Sequence, residues 1–284
     1  MKESVYNWNG EFIASQQLQT DIQNRGLNYG DGVFETLKYA NGRINFWEDH
    51  YFRLMSSMRI LRMEIPMNFS PEYLEEKLLE TARKNGIEKA ARLKLLVTRK
   101  PGGFYTPANN DIDYVITAEP LKQASFKLNE AGLTVDLYKD FFKARNLLSN
   151  LKSTSSQLYV LASIFRQENQ LDECLMLNDQ KYLTEAISSN VFIVKDKEVS
   201  TPSLKSGCLK GVLRKNVIEI LSKMDYQVQE RDAISPFELQ KADEVFLTNS
   251  IKGLQWVGQY RKKKLEPILS PLLTERLNIK VALG

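Results

Sequence analysis

A single histidine, His50, and two cysteines, Cys174 and Cys208, are all that the 284 residues hold of the imidazole and thiol side chains from which zinc sites are built. The cysteines form no CxxC pair and no histidine flanks them, which excludes the usual zinc sites. A serine triad would have to be built on His50. No stretch approaches the roughly 18 apolar residues of a membrane-spanning helix. The opening MKESVYNWNGEF carries charged and polar side chains where a secretory signal needs an apolar run, so a reducing cytoplasm is the expected compartment. Charge of one sign is lacking too: 39 Lys and Arg against 35 Asp and Glu leave +4, scattered along the chain. Neither nucleic acid nor a membrane is an expected partner, whereas a small positive balance suits a small anionic ligand.

What is present is an ordinary globular composition, 43% apolar and 26% charged, in a chain long for one core. Two domains are expected, 1–121 and 127–284, with the connection between them near Leu121 to Phe126. In the first, GRINFWEDHYFRLMSSMRILRM reads as a short strand entering a helix with Phe52, Met55, Ile60 and Met63 apolar, closed by Pro66. SPEYLEEKLLETARKNG reads as a helix capped by Ser70, with Pro71 in its first position and Gly86 past its end. AARLKLLVTRK and IDYVITAEPL alternate like paired strands around the loop PGGFYTPANN. In the second, GLTVDLY, ECLMLN, ISSNVFIVKDKEVST, YQVQERDA and ADEVFLTNS read as strands, and GVLRKNVIEILSKMDY as a helix. The whole is an α+β protein.

Five stretches carry chemistry. In LLSNLKSTSSQLYVLASIF, Thr154 and Gln157 fit a capping box ahead of Leu158, Leu161, Ile164 and Phe165. That places Lys152 just outside a helix N-terminus, an unfavourable position for a cation but one that favours a neutral, nucleophilic amine; the ordinary alternative is a solvated surface lysine. In TEAISSN, Glu185 is flanked by hydroxyls and an amide, as an anchored carboxylate or as a solvated turn. SGCLKGVLRKN sets Gly207 and Gly211 before a helix, an anion-binding N-terminus or a plain entry turn. EVFLTNS ends a buried strand in polar side chains. HYFRL puts His50 and Arg53 on one helical face, where Arg53 meets either an anionic ligand or a structural carboxylate. An amine, a lone carboxylate and several anion sites are what pyridoxal 5′-phosphate requires.

NRGLNYGDGVFETL, HYFRL, Lys152, LTEAISSNVF and LKGVLR occur in the order found in the class IV aminotransferases, and over nearly the whole chain the sequence resembles that family. The resemblance implies the two-domain architecture of fold-type IV pyridoxal phosphate enzymes, like that of D-amino acid aminotransferase. A small α+β domain, 1–121, would precede a larger α/β-barrel-like cofactor domain, 127–284, with the site in the cleft between them. By position, Lys152 resembles the Schiff-base lysine, Glu185 the partner of the pyridine nitrogen and Arg53 the phosphate-binding arginine. Ser189 and Asn190 would lie near the cofactor, the amides of Val212 and Leu213 would form the phosphate cup, and Thr248 and Asn249 its other wall. Leu213 stands where relatives often carry threonine. A small amino substrate and a homodimer are implied as partners, with Phe104 and Tyr105 of PGGFYTP as a loop packing against the second subunit.

Within the family, branched-chain aminotransferases carry an Asn-Tyr pair where Ser156 and Gln157 stand here, and a glycine after Phe-Glu that this chain lacks. D-amino acid aminotransferases use an arginine and a histidine in the loop matching TRKPGGFYTP, which has no histidine. RGLNYGDGVFET and the Gly-Gly loop are more similar to the 4-amino-4-deoxychorismate lyases, which release pyruvate and form 4-aminobenzoate in folate biosynthesis. That lyase is the expected activity. A class IV aminotransferase acting on branched-chain or other amino acids is the alternative, and a cofactor-free α+β binding module the remote one.

Overall fold

The computed structural model describes residues 4–283. The chain divides into two compact units: one runs up to Ser125 and also takes Lys152–Ser155, and the other holds Phe126–Leu151 and the chain from Ser156 onward. The tetrapeptide containing Lys152 thus belongs with the first unit, unlike the single boundary expected near 121–126.

The first unit is a six-stranded antiparallel sheet. Its strands are β1 (Val5–Trp8), β2 (Glu11–Ala14), β3 (Gly32–Ala40), β4 (Arg43–Ile44), β5 (Ala90–Arg99) and β6 (Ile112–Pro120), in the order β2-β1-β6-β5-β3-β4. Alternate residues (Val33, Glu35, Leu37 and Tyr39 on β3, and Leu93, Leu95 and Val97 on β5) are buried, as a sheet covered on one face requires. The core they enter contains Leu54 and Met58 of α2 (Trp47–Ile60) and Leu74, Leu78 and Ala82 of α3 (Pro71–Lys84). A short α1 (Arg25–Tyr29) precedes β3.

Several local readings hold. Ser70 caps α3, its hydroxyl accepting from the Tyr73 amide at 3.2 Å, with Pro71 first in the helix. One differs in part: Phe52 faces solvent and Ile60 is only partly buried, whereas Met55 and Met63 are buried as expected, together with Trp47, His50, Arg53, Leu54, Ser57 and Met58.

The second unit comprises β7 (Leu133–Lys143), α4 (Gln157–Glu168), β8 (Glu173–Asn178), β9 (Leu183–Ala186), β10 (Asn190–Lys195), β11 (Glu198–Pro202), α5 (Val212–Leu221), β12 (Gln227–Arg231), β13 (Glu244–Asn249), β14 (Gly253–Tyr260), β15 (Lys263–Lys264) and α6 (Ser270–Leu283). Its strands run β12-β11-β10-β13-β14-β7-β8-β9, with β15 beside β14. β8 and β13 are buried almost end to end. β14, β15 and α6 were not read from the sequence. Among the described residues no helix is long and apolar enough to cross a membrane.

Candidate active site

Glu185 lies in β9 and is buried, so the solvated-turn reading fails. Its Oε1 accepts from the Lys143 ammonium and, at 2.7 Å, from the Tyr159 hydroxyl; its Oε2 accepts from the Leu209 amide at 2.6 Å. Burial and the adjacent Glu185 carboxylate push the Tyr159 hydroxyl far above the usual phenol range, so it acts as a donor. Lys143, the last residue of β7, was missed in the sequence. It sits in DFFKARN among other charges and shows no periodicity that marks it as buried.

The Leu209 carbonyl continues the set, accepting from the Asn190 side-chain amide at 2.9 Å and the Gly211 amide at 2.8 Å. Gly211 is the N-cap of α5 and offers no side-chain cap, so the amides of Val212 and Leu213 have no partner within the helix. A Cβ at Gly211 would collide with Asn190 Oδ1, so only glycine lets strand and helix entry meet. Thr248 pairs with Asn190 across β13 and β10, and its buried hydroxyl has no hydrogen-bond partner. Such a buried orphan beside a helix N-terminus is suited to an anion. Ser189 is buried, its carbonyl accepting from Ala186 at 2.7 Å; Asn249 donates to the Ser188 carbonyl at 2.6 Å and caps the following turn through Oδ1.

In the first unit, Arg53 is buried. Its Nε donates to Glu35 Oε1 at 2.7 Å and its Nη2 to Glu35 Oε2, while His50 Nδ1 lies 2.7 Å from the same Oε2. The structural-carboxylate reading of HYFRL is therefore met, through a glutamate from FETL. Lys152 is half-buried, with its ammonium 4.4 Å from the centre of the Phe34 ring. Phe34 and Glu35 leave opposite faces of β3, so Lys152 and Arg53 are tied to opposite sides of that strand.

The capping box is corrected. The N-cap of α4 is Ser156, without a side-chain cap, and α4 begins at Gln157. Residues 152–154 instead lie extended along β3: Phe34 donates to the Lys152 carbonyl and Thr154 to the Gly32 carbonyl, both at 2.9 Å. Lys152 is thus too far along the chain from the helix start for the dipole argument, which fades within a turn. On α4 itself Leu158, Ala162 and Phe165 face inward, while Leu161 and Ile164 are exposed.

The profile of amino-transferase class IV matches residues 32–260, and the chain belongs to that family. It is 28% identical over 251 residues to a putative branched-chain-amino-acid aminotransferase of Methanocaldococcus jannaschii, covering 85% of this chain and 83% of that one. It is also 28% identical over 240 residues to aminodeoxychorismate lyase of Vibrio harveyi, covering 84% and 86%. The branched-chain aminotransferase of Thermoproteus uzoniensis superposes with a TM-score of 0.88 at 24% identity, over 98% of this chain and 95% of that one. The protein is a pyridoxal 5′-phosphate-dependent enzyme of the class IV aminotransferase and lyase family, which removes the binding-module alternative.

The residues present fit that cofactor. The orphaned Thr248 hydroxyl and the uncapped amides of α5 suit its phosphate. Three of the roughly four lone-pair directions of the Glu185 carboxylate are used, leaving one on Oε2 for a ring N–H.

Proposed function

We propose that this enzyme is a 4-amino-4-deoxychorismate lyase, releasing pyruvate and forming 4-aminobenzoate. The observation that carries the choice over a D-amino acid aminotransferase is Arg99, the last residue of β5 and the one arginine of TRKPGGFYTP. Its Nε donates to Asp31 Oδ2 at 2.9 Å, Nη1 to the Arg62 carbonyl at 3.2 Å and to Asn110 Oδ1 at 2.5 Å, and Nη2 to the Leu61 carbonyl at 2.6 Å and to Asp31 Oδ1 at 3.4 Å. All five guanidinium hydrogens are used, so the loop offers neither a histidine nor an uncommitted arginine for an amino acid's carboxylate.

Pyridoxal phosphate, when bound, withdraws electrons from the carbon bearing the substrate's amino group. In this reading the Lys152 amine would hold the cofactor between turnovers and, once the substrate's amine had displaced it, would take the proton from that carbon and return it to the methylene carbon of the departing enolpyruvate. The carbon–oxygen bond of the enol ether breaks and the ring becomes aromatic. Glu185 receives the ring N–H. The Thr248 hydroxyl and the amides of Val212 and Leu213 hold the phosphate, with Ser189, Asn190 and the Asn249 turn beside them; Arg53 joins them only through guanidinium hydrogens beyond the two that Glu35 takes, and only if it reaches round the edge of β3 from the side opposite Phe34.

A branched-chain aminotransferase is the second reading, favoured by the 28% identity to the putative enzyme of that kind in Methanocaldococcus jannaschii. Incubating the holoenzyme with aminodeoxychorismate, and separately with leucine, glutamate and D-alanine plus a keto acid, decides between them. Pyruvate and 4-aminobenzoate formed in equal amounts from aminodeoxychorismate support the lyase; amino transfer from any of the three amino acids, with no pyruvate released from aminodeoxychorismate, overturns it.

A homodimer is part of the proposal. Phe141 and Phe142 at the end of β7, Leu148, and Val160, Leu161 and Ile164 on the outer side of α4 are exposed apolar side chains of the second unit, the composition of a subunit contact. Cytoplasmic residence is supported by two free, buried cysteines.

A further inference from the structure

Two lysines bear on the proposed chemistry, Lys152 in the first unit and Lys143 in the second, and their surroundings differ. Lys143 and Glu185 are both buried, side chains 4% and 3% exposed, and bonded to each other. The Lys143 ammonium has three hydrogens and meets three acceptors: Glu185 Oε1, the Tyr159 oxygen at 2.8 Å and the Ser149 carbonyl at 3.2 Å. An amine so committed lacks the lone pair a nucleophile needs. It does give the carboxylate a fixed counter-charge in a place where an uncompensated one would be costly. Tyr159 closes a three-membered ring of hydrogen bonds by donating to the same Oε1, and Leu209 fixes the other oxygen. The carboxylate is therefore held from three sides within one unit.

We propose that Lys143 is a positioning residue: it aims Glu185 and shares that carboxylate with the ring nitrogen of the bound cofactor, and it does not itself carry the cofactor. This rests on the pyridoxal phosphate reading of the site. A ring N–H on the remaining direction of Oε2 is then paired with a carboxylate already balanced by a cation. Its proton is held less tightly than an unshared carboxylate would hold it, and the strength of the electron sink is set by a residue that touches neither substrate nor cofactor. Such preorganised polar groups do not have to reorient during reaction.

Borohydride reduction of the wild-type holoenzyme, followed by digestion and peptide mapping, tests which lysine is covalently used. An adduct on Lys152 is expected. An adduct on Lys143 overturns the proposal while leaving the cofactor assignment standing, and no adduct on any lysine overturns both. The second readout is the visible spectrum of the bound cofactor titrated with acid and base. In Lys143→Met, loss of the positive charge should raise the midpoint of the spectral transition by roughly one to three pH units, and Lys143→Arg should restore it. An unmoved midpoint in Lys143→Met with cofactor retained overturns the proposal. If Lys143→Met does not fold, Lys143→Gln, which loses the charge but keeps a hydrogen-bond donor toward Glu185, is titrated in its place, and an unmoved midpoint there overturns the proposal.

Discussion

Glu35 closes on one edge of the Arg53 guanidinium, accepting from Nε at Oε1 and from Nη2 at Oε2, with His50 on the second oxygen. Burial works to raise the Glu35 pKa, but the charge and hydrogen bond of Arg53, then those of His50, outweigh it and bring the group from 4.5 to about 2. Burial lowers His50 from 6.5, only partly opposed by Glu35. Both depressed values mean that the unfolded chain binds protons first as pH falls, so both cost stability in acid. The cofactor-free protein should lose unfolding midpoint gently from about pH 6.5, where unfolded His50 charges, and steeply from about pH 4.5 toward 2, where unfolded Glu35 is protonated. His50→Gln should remove the first decline only. A midpoint flat between pH 8 and 4 in the wild type would contradict this.

Arg53→Ala leaves a buried carboxylate without its cation and should cost about 3–5 kcal/mol, so cofactor binding must be measured in a background that tolerates the loss. In Glu35→Gln, adding Arg53→Met should raise the dissociation constant for pyridoxal phosphate at least about tenfold, because a guanidinium binds phosphate through paired hydrogen bonds. Equal constants would leave Arg53 with a structural role alone.

Thr248→Val keeps the shape of a buried side chain and deletes an unpartnered hydroxyl. The cofactor-free protein should be as stable as the wild type or slightly more so, while cofactor affinity falls by roughly ten- to a hundredfold, as for one lost hydrogen bond to a charged group. Unchanged affinity would remove Thr248 from the phosphate site.

Lys152→Ala should abolish turnover with little change in the unfolding midpoint of cofactor-free protein, since its side chain is half-buried. Glu185→Gln should retain cofactor and slow turnover by about 10²–10³. Near-normal activity in Lys152→Ala would refute its assignment, and loss of cofactor without any rate effect on the residual holoenzyme would refute that of Glu185.

Leu161→Glu together with Ile164→Glu places two charges on the exposed side of α4 and should shift sedimentation from dimer toward monomer. A wild type that sediments as a fully active monomer at micromolar concentration would end the homodimer proposal.

What could be read from the sequence was what is decided locally or carried by a motif. Ser70 and Pro71 specify the start of α3 through contacts within four residues. LTEAISSNVF located Glu185 and Asn190, which the structure links through Leu209. Thr154 and Gln157 fit a local rule equally well, yet their segment pairs with β3, whose Gly32 lies 122 positions away; a distant strand outweighed a cap worth about 1 kcal/mol. Lys143 was illegible for a related reason. Its burial depends on Glu185, 42 residues later, and nothing in DFFKARN distinguishes it from the solvated charges beside it. Arg53 was legible as a cation on an apolar helix face, but its partner, Glu35, comes from a strand and had to be seen.

The tetrapeptide Lys152–Ser155 has a consequence for the order of events on the ribosome. β4 pairs only with Tyr39 and Ala40 of β3, and the other half of that edge is covered by residues 152–154. At about 5–20 residues per second, emergence of Phe126–Leu151 takes on the order of 1–5 s after Ser125. For that interval the nascent sheet presents Gly32–Phe34 as an open edge, a template for pairing with another chain, until the segment that carries the candidate catalytic lysine arrives to close it.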